Sequence, residues 1–115
     1  MAETMSKVVL SGGASEGGWL VVNATSTLGD VVHTGHATAV DEVWLWATNE
    51  SVAPVVLTLE WDGVATPQIE TIQPQVSATL IVPGWPLTAS GVLTAFAGTA
   101  DVVTVFGYAN RITST

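Results

Sequence analysis

The sequence predicts an all-β protein, an antiparallel β-sandwich of the jelly-roll or immunoglobulin-like type with about eight or nine short strands. Three observations support this prediction. Val and Thr are abundant along the whole chain, and branched side chains favour a pleated sheet. Gly, Pro, Asn and Asp interrupt the chain at short intervals, as they do in sandwiches and barrels. No segment sustains the 3.6-residue apolar period of an amphipathic helix.

The segments between these interruptions predict the individual strands. We expect strands near residues 6–11, 17–23, 30–37, 40–49, 54–62, 67–73, 76–83, 91–97 and 102–112. With 115 residues the chain has the length of one domain. Residues 17–115 are expected to form the sandwich, and residues 1–16, which are rich in Ser, Gly and Ala, a flexible N-terminal arm.

The charge composition excludes several classes of partner. Charged residues make up 10% of the chain, against about 25% in an average soluble domain, and the formal net charge is −8. With only two cationic side chains, no basic stripe can bind nucleic acid, and an anionic membrane surface is disfavoured. The absence of cysteine excludes disulfides and thiolate metal sites. The first residues lack the apolar segment of a secretion signal.

The segment VWLWATN is apolar on both faces of its predicted strand. Val43 and Leu45 lie on one face, and Trp44 and Trp46 lie on the other. The last predicted strand, DVVTVFGYANRI, has the same two-sided pattern. Such a pattern is typical of a central strand that is covered on both sides.

The clearest predicted hairpin joins VWLWATN to the next segment, APVVLTLEWDG. In that second strand Val55, Leu57 and Leu59 share one apolar face, whereas Glu60 and Asp62 share the other. We therefore expect the second strand to have one buried and one solvated face.

A two-layer sandwich has one interior, so the second apolar face of VWLWATN needs another cover. One candidate is the predicted loop Pro83-Gly84-Trp85-Pro86-Leu87, whose indole offers a large apolar area. The other candidate is a neighbouring subunit, because closed homo-oligomers commonly bury such surfaces.

The segment HTGH holds both histidines of the chain. At positions i and i+3 of a strand, His33 and His36 point to opposite faces, and a metal site would need a third ligand such as Asp30. The pattern favours polar strand residues beside a glycine over a metal site.

The pair Glu60 and Asp62 has the spacing of two carboxylates on one strand face and could be cast as a glycosidase dyad. A solvated face is the favoured interpretation, because no groove-forming loop or arginine accompanies the pair. We expect Asp41, Glu42 and Asp101 to lie in turns. No catalytic residue, metal ligand or cofactor is predicted.

Five tryptophans are many for a chain of this length. They could form the stacking platform of a carbohydrate-binding module, but core and interface packing is the favoured interpretation. Trp85, in a Gly-Pro segment, is the residue most compatible with sugar binding.

Two segments carry a resemblance to a known class of proteins. HATAVDEVWLWATNESVAPVVLTLEWDG and IVPGWPLTASGVLTAFAGTADVVTVFGYANRI are similar to small structural proteins encoded among the virion genes of tailed bacteriophages. The similarity covers roughly residues 30–112, and AFAGTADVV with the closing GYANRI is its most recognisable part. The resemblance implies a β-sandwich that assembles, often as trimers, on the capsid as a decoration or cement protein.

From the residues and the resemblance together we expect a nonenzymatic homo-oligomer, with a trimer favoured, on the capsid surface of a virion. Its expected partners are other copies of itself and the major capsid protein, with no nucleic acid and no membrane. Lys7 is expected to pair with acidic groups of a partner, as is Arg111. The predicted subunit or capsid interface consists of Trp44, Trp46, Trp85, Phe106, Tyr108 and Arg111. A carbohydrate-binding module and a tail or fibre component of the virion are the alternatives.

Overall fold

A computed structural model describes residues 3–13, 18–65, 67–75 and 77–114. These residues form nine strands and no helix: β1 (Glu3–Val9), β2 (Leu20–Val21), β3 (Asp30–Thr34), β4 (Val40–Asn49), β5 (Val55–Trp61), β6 (Pro67–Ile72), β7 (Thr79–Leu87), β8 (Val92–Ala97) and β9 (Val103–Ser114). The described part of the chain thus has no helix that could cross a membrane.

The strands form two antiparallel sheets that pack face to face, which confirms the predicted β-sandwich. Sheet A has the order β1–β9–β4–β7, and β2 pairs with β9 beyond the end of β1. Sheet B has the order β3–β8–β5–β6. At the centre of sheet A, β4 and β9 pair without interruption from Val40 opposite Ile112 to Asn49 opposite Val103.

The core lies between the two sheets and is built from alternate residues of each strand. Leu45 of β4, Leu57 and Leu59 of β5, Leu93 of β8 and Val105 of β9 are all fully buried. Burial alternates strictly along β4, where every second side chain is buried and the others are half-buried. This alternation is the period-2 pattern expected of a strand whose two faces have different surroundings.

The predicted hairpin of VWLWATN with APVVLTLEWDG is wrong. The first segment, β4, pairs with β7 and β9 in sheet A, whereas the second, β5, pairs with β6 and β8 in sheet B. The connection crosses between the sheets, and the Asn49 side chain fixes it by donating hydrogen bonds to the carbonyl oxygens of Ala53 and Ile72, each at 2.9 Å. An arch of this kind moves the second strand into the opposite layer, where its apolar face meets that of the first.

Most of the expected N-terminal arm that the structure describes belongs to the sandwich. Residues 3–9 form β1, which pairs with β9 over its whole length, and Leu10 is buried in the core. Residues 1–2 and 14–16 of the expected arm lie outside the described residues.

The expected lid at residues 83–87 is instead the second half of β7. Its prolines are accommodated because β7 is the outer strand of sheet A, where a missing N–H group breaks no ladder on the free side. The pairing of β7 with β4 shifts register twice, between Val43 and Trp44 and between Leu45 and Trp46.

Gly107 permits a close backbone approach between β4 and β9. Its φ is +154°, and a Cβ atom at this position would lie 1.9 Å from the carbonyl oxygen of Trp44. Glycine is therefore required for the central ladder of sheet A to close at this point.

We expect Gly107→Ala to lower the free energy of unfolding by at least about 2 kcal/mol, because the methyl group would collide with the Trp44 carbonyl and force the two strands apart. Urea denaturation followed by tryptophan fluorescence measures this loss. Gly98→Ala is the matched control, since a Cβ there meets only the Val56 carbonyl oxygen at 3.9 Å. Its expected effect is within about 0.5 kcal/mol. Equal losses in the two variants would contradict the role given to Gly107.

Candidate functional site

The outer face of sheet A carries a group of aromatic side chains. Trp44 lies opposite Tyr108 in the β4–β9 ladder, and Trp46 lies opposite Phe106. Directly opposed residues share one side of a sheet, so these four side chains lie together on the surface away from the core. All four are half-buried. We call them, together with the neighbouring Trp19, the aromatic face.

Four of these rings form a continuous row that ends at a lysine. Trp19 stacks on Phe106 with ring centroids 5.1 Å apart, and Phe106 stacks on Trp46 at 6.2 Å. Trp46 is tilted against Tyr108 at 6.1 Å, and the Lys7 ammonium lies 4.4 Å from the centre of the Tyr108 ring. Ring stacking and the cation–π contact hold these side chains in fixed positions. The row therefore forms a preorganised surface.

Trp44 packs against the backbone of its own chain. A Cβ atom on Gly84 would lie 2.9 Å from the Trp44 ring, so the indole covers the bare glycine of β7. The Trp44 Nε1 atom is buried, and in the part of the chain that the structure describes it is the only buried side-chain nitrogen or oxygen without a hydrogen-bond partner. Part of this apolar surface is therefore covered internally, by β7.

Exposed apolar side chains surround the aromatic face. They are Met5, Val9, Val21 and Leu80, and each exposes between 44% and 60% of its surface. Val9 lies opposite Tyr108, and Leu80 lies opposite Trp46, so both are on the same side of sheet A as the aromatic face. Met5 and Val21 lie opposite other residues of β9 that point to this side. Contiguous exposed apolar areas commonly mark interaction surfaces, so this side of sheet A is the candidate functional site.

The structure brings together four of the six predicted interface residues. Trp44, Trp46, Phe106 and Tyr108 share the aromatic face. The other two, Trp85 and Arg111, lie elsewhere.

Trp85 lies in a groove where the free edges of β6 and β7 meet. It is tilted against Trp61 with ring centroids 5.9 Å apart and is 43% exposed. Gln68 ties the two edges together, since it accepts a hydrogen bond from Trp61 Nε1 at 3.0 Å and donates one to the Ile81 carbonyl at 2.7 Å. Pro86 completes the lining. The groove is thus mainly apolar, and its central amide is already engaged within the chain.

Arg111 points inward to Asp41, which is completely buried in β4. The guanidinium donates from Nε at 2.8 Å to Oδ1 and from its terminal nitrogen at 2.9 Å to Oδ2. His33 Nε2 lies 2.7 Å from the same carboxylate. The prediction that Asp41 and Glu42 lie in turns is wrong, because both belong to β4. Arg111, which we expected to pair with an acid of a partner, pairs with Asp41 of its own chain.

Burial alone would raise the pKa of Asp41, but hydrogen bonds from Arg111 and His33 and the nearby positive charge outweigh it and hold this pKa below its ordinary value. The same hydrogen bond to Asp41 raises the pKa of Arg111. This buried cluster therefore contains an ionised pair that links β3, β4 and β9.

Ser11, His33 and Asp41 lie together and have the residue types of a hydrolytic triad, but their hydrogen bonds are not those of a triad. His33 Nδ1 accepts a hydrogen bond from the backbone N–H of Ser11 at 3.1 Å, and the Ser11 hydroxyl accepts one from the Thr34 amide at 2.7 Å. Both imidazole nitrogens are engaged and His33 is 1% exposed. The cluster has no free base to activate the serine, so its role is to join strands.

His36 lies apart from His33 and stabilises a bend. Its Nδ1 atom accepts hydrogen bonds from the amides of Thr38 at 3.1 Å and Ala39 at 2.9 Å. Within the described ranges, no three His, Cys, Asp or Glu side chains are placed to hold a metal ion.

The predicted solvated position of Glu60 is also wrong. Its side chain is 2% exposed, because the segment between β2 and β3 folds over it. One carboxylate oxygen accepts hydrogen bonds from the Gly29 amide and the Thr94 hydroxyl, each at 2.8 Å, and the other accepts one from the Thr27 hydroxyl. Burial alone would raise the pKa of Glu60, but these hydrogen bonds lower it below its ordinary value. Asp62 is exposed, so the two acids do not form a dyad.

Comparison of the chain with family models, with curated proteins and with solved structures finds no match.

The two buried carboxylates predict the acid sensitivity of the fold. In the unfolded chain their ordinary pKa values are 3.8 for Asp41 and 4.5 for Glu60, and folding lowers both. Their stabilisation is therefore fully present above these values and is lost as the pH falls through the lower pKa values of the folded state. We expect the free energy of unfolding to decline below about pH 4.5 in urea titrations at successive pH values.

At neutral pH we expect Asp41→Asn to lower the free energy of unfolding by about 3 kcal/mol, because it leaves Arg111 partly buried without a full counter-charge. The variant also loses the part of the acid dependence that arises below pH 3.8. Glu50→Gln, at an exposed position, is the control and should keep the wild-type profile. An unchanged acid profile in Asp41→Asn would contradict the assignment.

Proposed function

We propose that this protein is a nonenzymatic structural protein of a virion, a homo-oligomeric decoration or cement protein that binds the head of a tailed bacteriophage through the major capsid protein. The observation that carries the proposal is the aromatic face of sheet A with the exposed apolar side chains around it. The resemblance of residues 30–112 to phage virion proteins supports the choice of a capsid as the partner.

The geometry of the aromatic face suits binding to a broad surface. Aromatic side chains are enriched at interface cores, and the half-buried rings of this face still have apolar surface that a partner can cover. The rings of Trp19, Phe106, Trp46 and Tyr108 already stack on one another, so little side-chain entropy is lost on binding. The depression on this face, lined by Trp46, Phe106 and Tyr108, is wide open to solvent. An open surface suits another protein better than a small molecule, which requires an enclosing site.

Cement action needs no chemical step. A protein that binds the assembled shell but not the separated subunits stabilises the shell by mass action. Many copies held on one particle also act at high effective concentration. The proposed role is therefore met by buried area alone.

We expect Trp46→Ser to weaken binding to purified phage heads by at least about tenfold, because truncation of a central aromatic anchor removes a large part of the interface energy. Co-sedimentation of the protein with heads that lack it measures the loss. Val56→Ser is the matched control, since Val56 is an exposed apolar residue on the outer face of sheet B. Absence of the protein from purified virions would overturn the proposal, and its presence on the tail alone would favour the tail component.

A carbohydrate-binding module is the second candidate, favoured by the exposed Trp85 ring beside Trp61 in the edge groove. The two candidates use different surfaces. We expect Trp85→Ala to leave head binding unchanged, because this residue lies outside the aromatic face. Affinity electrophoresis in glycan-containing gels tests the rival, with Trp46→Ser as the control. Glycan retention that is lost in Trp85→Ala but kept in Trp46→Ser would establish the carbohydrate-binding function instead.

A further inference from the structure

Apart from the two-residue β2, the described residues form four outer strands, and these differ in how well they are protected from pairing with another chain. An outer strand presents unpaired N–H and C=O groups, and natural proteins block such edges with prolines, bulges, charged side chains or covering loops. Three of these four outer strands carry a proline, a bulge or a covering loop.

On β7, Pro83 and Pro86 remove two donors, and the pairing with β4 is irregular. On β6, Pro67 begins the strand, and Glu70 lies opposite the buried Leu57 and so points toward the interior side.

The third protected edge is β3, which is short and bulged. Its register with β8 shifts between Val31 and His33. The loop after β1 covers its free side, because Gly12 donates to the Val32 carbonyl at 3.0 Å and the Ser11 hydroxyl accepts from the Thr34 amide at 2.7 Å.

The fourth outer strand, β1, is not interrupted in this way, and the only protective feature in its own sequence is the pair of charged side chains Glu3 and Lys7. It pairs with β9 through seven consecutive residues without a register shift and contains no proline. Within the described ranges, the hydrogen bonds that reach β1 come from β9 alone. Its side chains are exposed on both faces, apart from the half-buried Val8. As far as the described residues show, the free side of β1 is therefore a regular, open template for one more strand.

We propose that β1 of one copy pairs antiparallel with β1 of a second copy around a twofold axis at Met5. The charges select this partner and this register. With Met5 opposite Met5 of the second copy, Glu3 lies opposite the second copy's Lys7, and its own Lys7 lies opposite the second copy's Glu3. Opposite charges directly across an antiparallel pair are stabilising.

The same register also matches the other face of the strand. Thr4 lies opposite Ser6 of the second copy, and hydroxyl pairs of this kind hydrogen-bond across strands. A register centred one residue later, at Ser6, places Glu3 opposite Val9 and Lys7 opposite Met5. That register loses both ion pairs, so the charge pattern specifies the pairing at Met5.

Pairing at Met5 joins the two A sheets into one continuous sheet. Because odd-numbered residues of β1 oppose odd-numbered residues of the second copy, the outer faces of both sheets lie on the same side. The two aromatic faces then form one platform, and both halves can contact the same shell. The inference rests on the self-association in the proposed function but not on the identity of the shell.

The joint is small and is expected to be weak in solution. It uses five residues a side, Glu3–Lys7, whereas a standard specific interface uses roughly 20–30. Copies held together on a surface would pair at high effective concentration. Used alone the joint makes a dimer.

Cysteine crosslinking tests the twofold position, since the native chain has no cysteine. In the proposed pair the two Met5 Cα atoms lie about 4.5–5.5 Å apart, within the range of a disulfide. The two Lys7 positions lie about 14 Å apart along the strands, beyond that range. Under mild oxidation at high protein concentration, we expect Met5→Cys to form disulfide dimers at least about tenfold faster than Lys7→Cys. Equal rates for the two variants would overturn the inference.

Charge exchange tests the register. Lys7→Glu places carboxylates opposite each other at both ends of the joint, and Glu3→Lys places ammonium groups there. For each single variant we expect the dissociation constant of the dimer, measured by sedimentation equilibrium, to rise about tenfold. The double variant Glu3→Lys/Lys7→Glu is expected to restore the wild-type dissociation constant. Circular dichroism and the thermal midpoint check that each variant is folded. A double variant as weak as either single variant would overturn the proposed register.

These outcomes separate the two proposals. A protein that binds heads but shows no preferential crosslink at Met5→Cys retains the proposed function and loses this inference. A protein that crosslinks at Met5→Cys but binds no head loses the proposed function and retains the inference.

Discussion

The uninterrupted pairing of β4 with β9 is the constraint on which the rest of the structure depends. Ten residues of β4 each have a partner on β9, so one register decides both faces of sheet A at once. The inner face supplies Leu45 and Val105 to the core, and the outer face places Trp46 beside Phe106. A shift of one residue would exchange the two faces and expose the core side chains. The core and the candidate binding surface are therefore specified by the same hydrogen bonds.

Two buried carboxylates tie together segments that are distant in the sequence. Asp41 connects β4 to β9 through Arg111 and to β3 through His33, so a single carboxylate joins strands of both sheets. Glu60 performs a similar task at the outer face of sheet B, where it holds the segment that precedes β3. Buried charges of this kind contribute little net stability when paired, but they make alternative arrangements costly. They help to specify one topology among the many that short Val- and Thr-rich strands could adopt.

The fold class, most strand positions and the two-sided nature of β4 could be predicted because they depend on local periodicity. The pairing of β4 with β5 could not, since neighbouring strands in sequence can join either within a sheet or across it, and the Asn49 contacts that decide this involve Ile72 far along the chain. Glu60 was misplaced for a related reason: alternation shows which side of a strand a residue occupies, but not whether a distant loop covers that side. The inward turn of Arg111 likewise requires a partner 70 residues away.

The ladder of β1 with β9 has a consequence for the two ends of the described chain. Glu3 lies opposite Ser114, so the backbone enters and leaves the fold at one tip, with Cα atoms about 5 Å apart. A peptide fused to either end would project from the same corner, at the far end of the sheet from Trp19. A pair of fusions, one at each end, would be held side by side, which makes this corner a natural point for attaching a split reporter or displaying a two-part ligand.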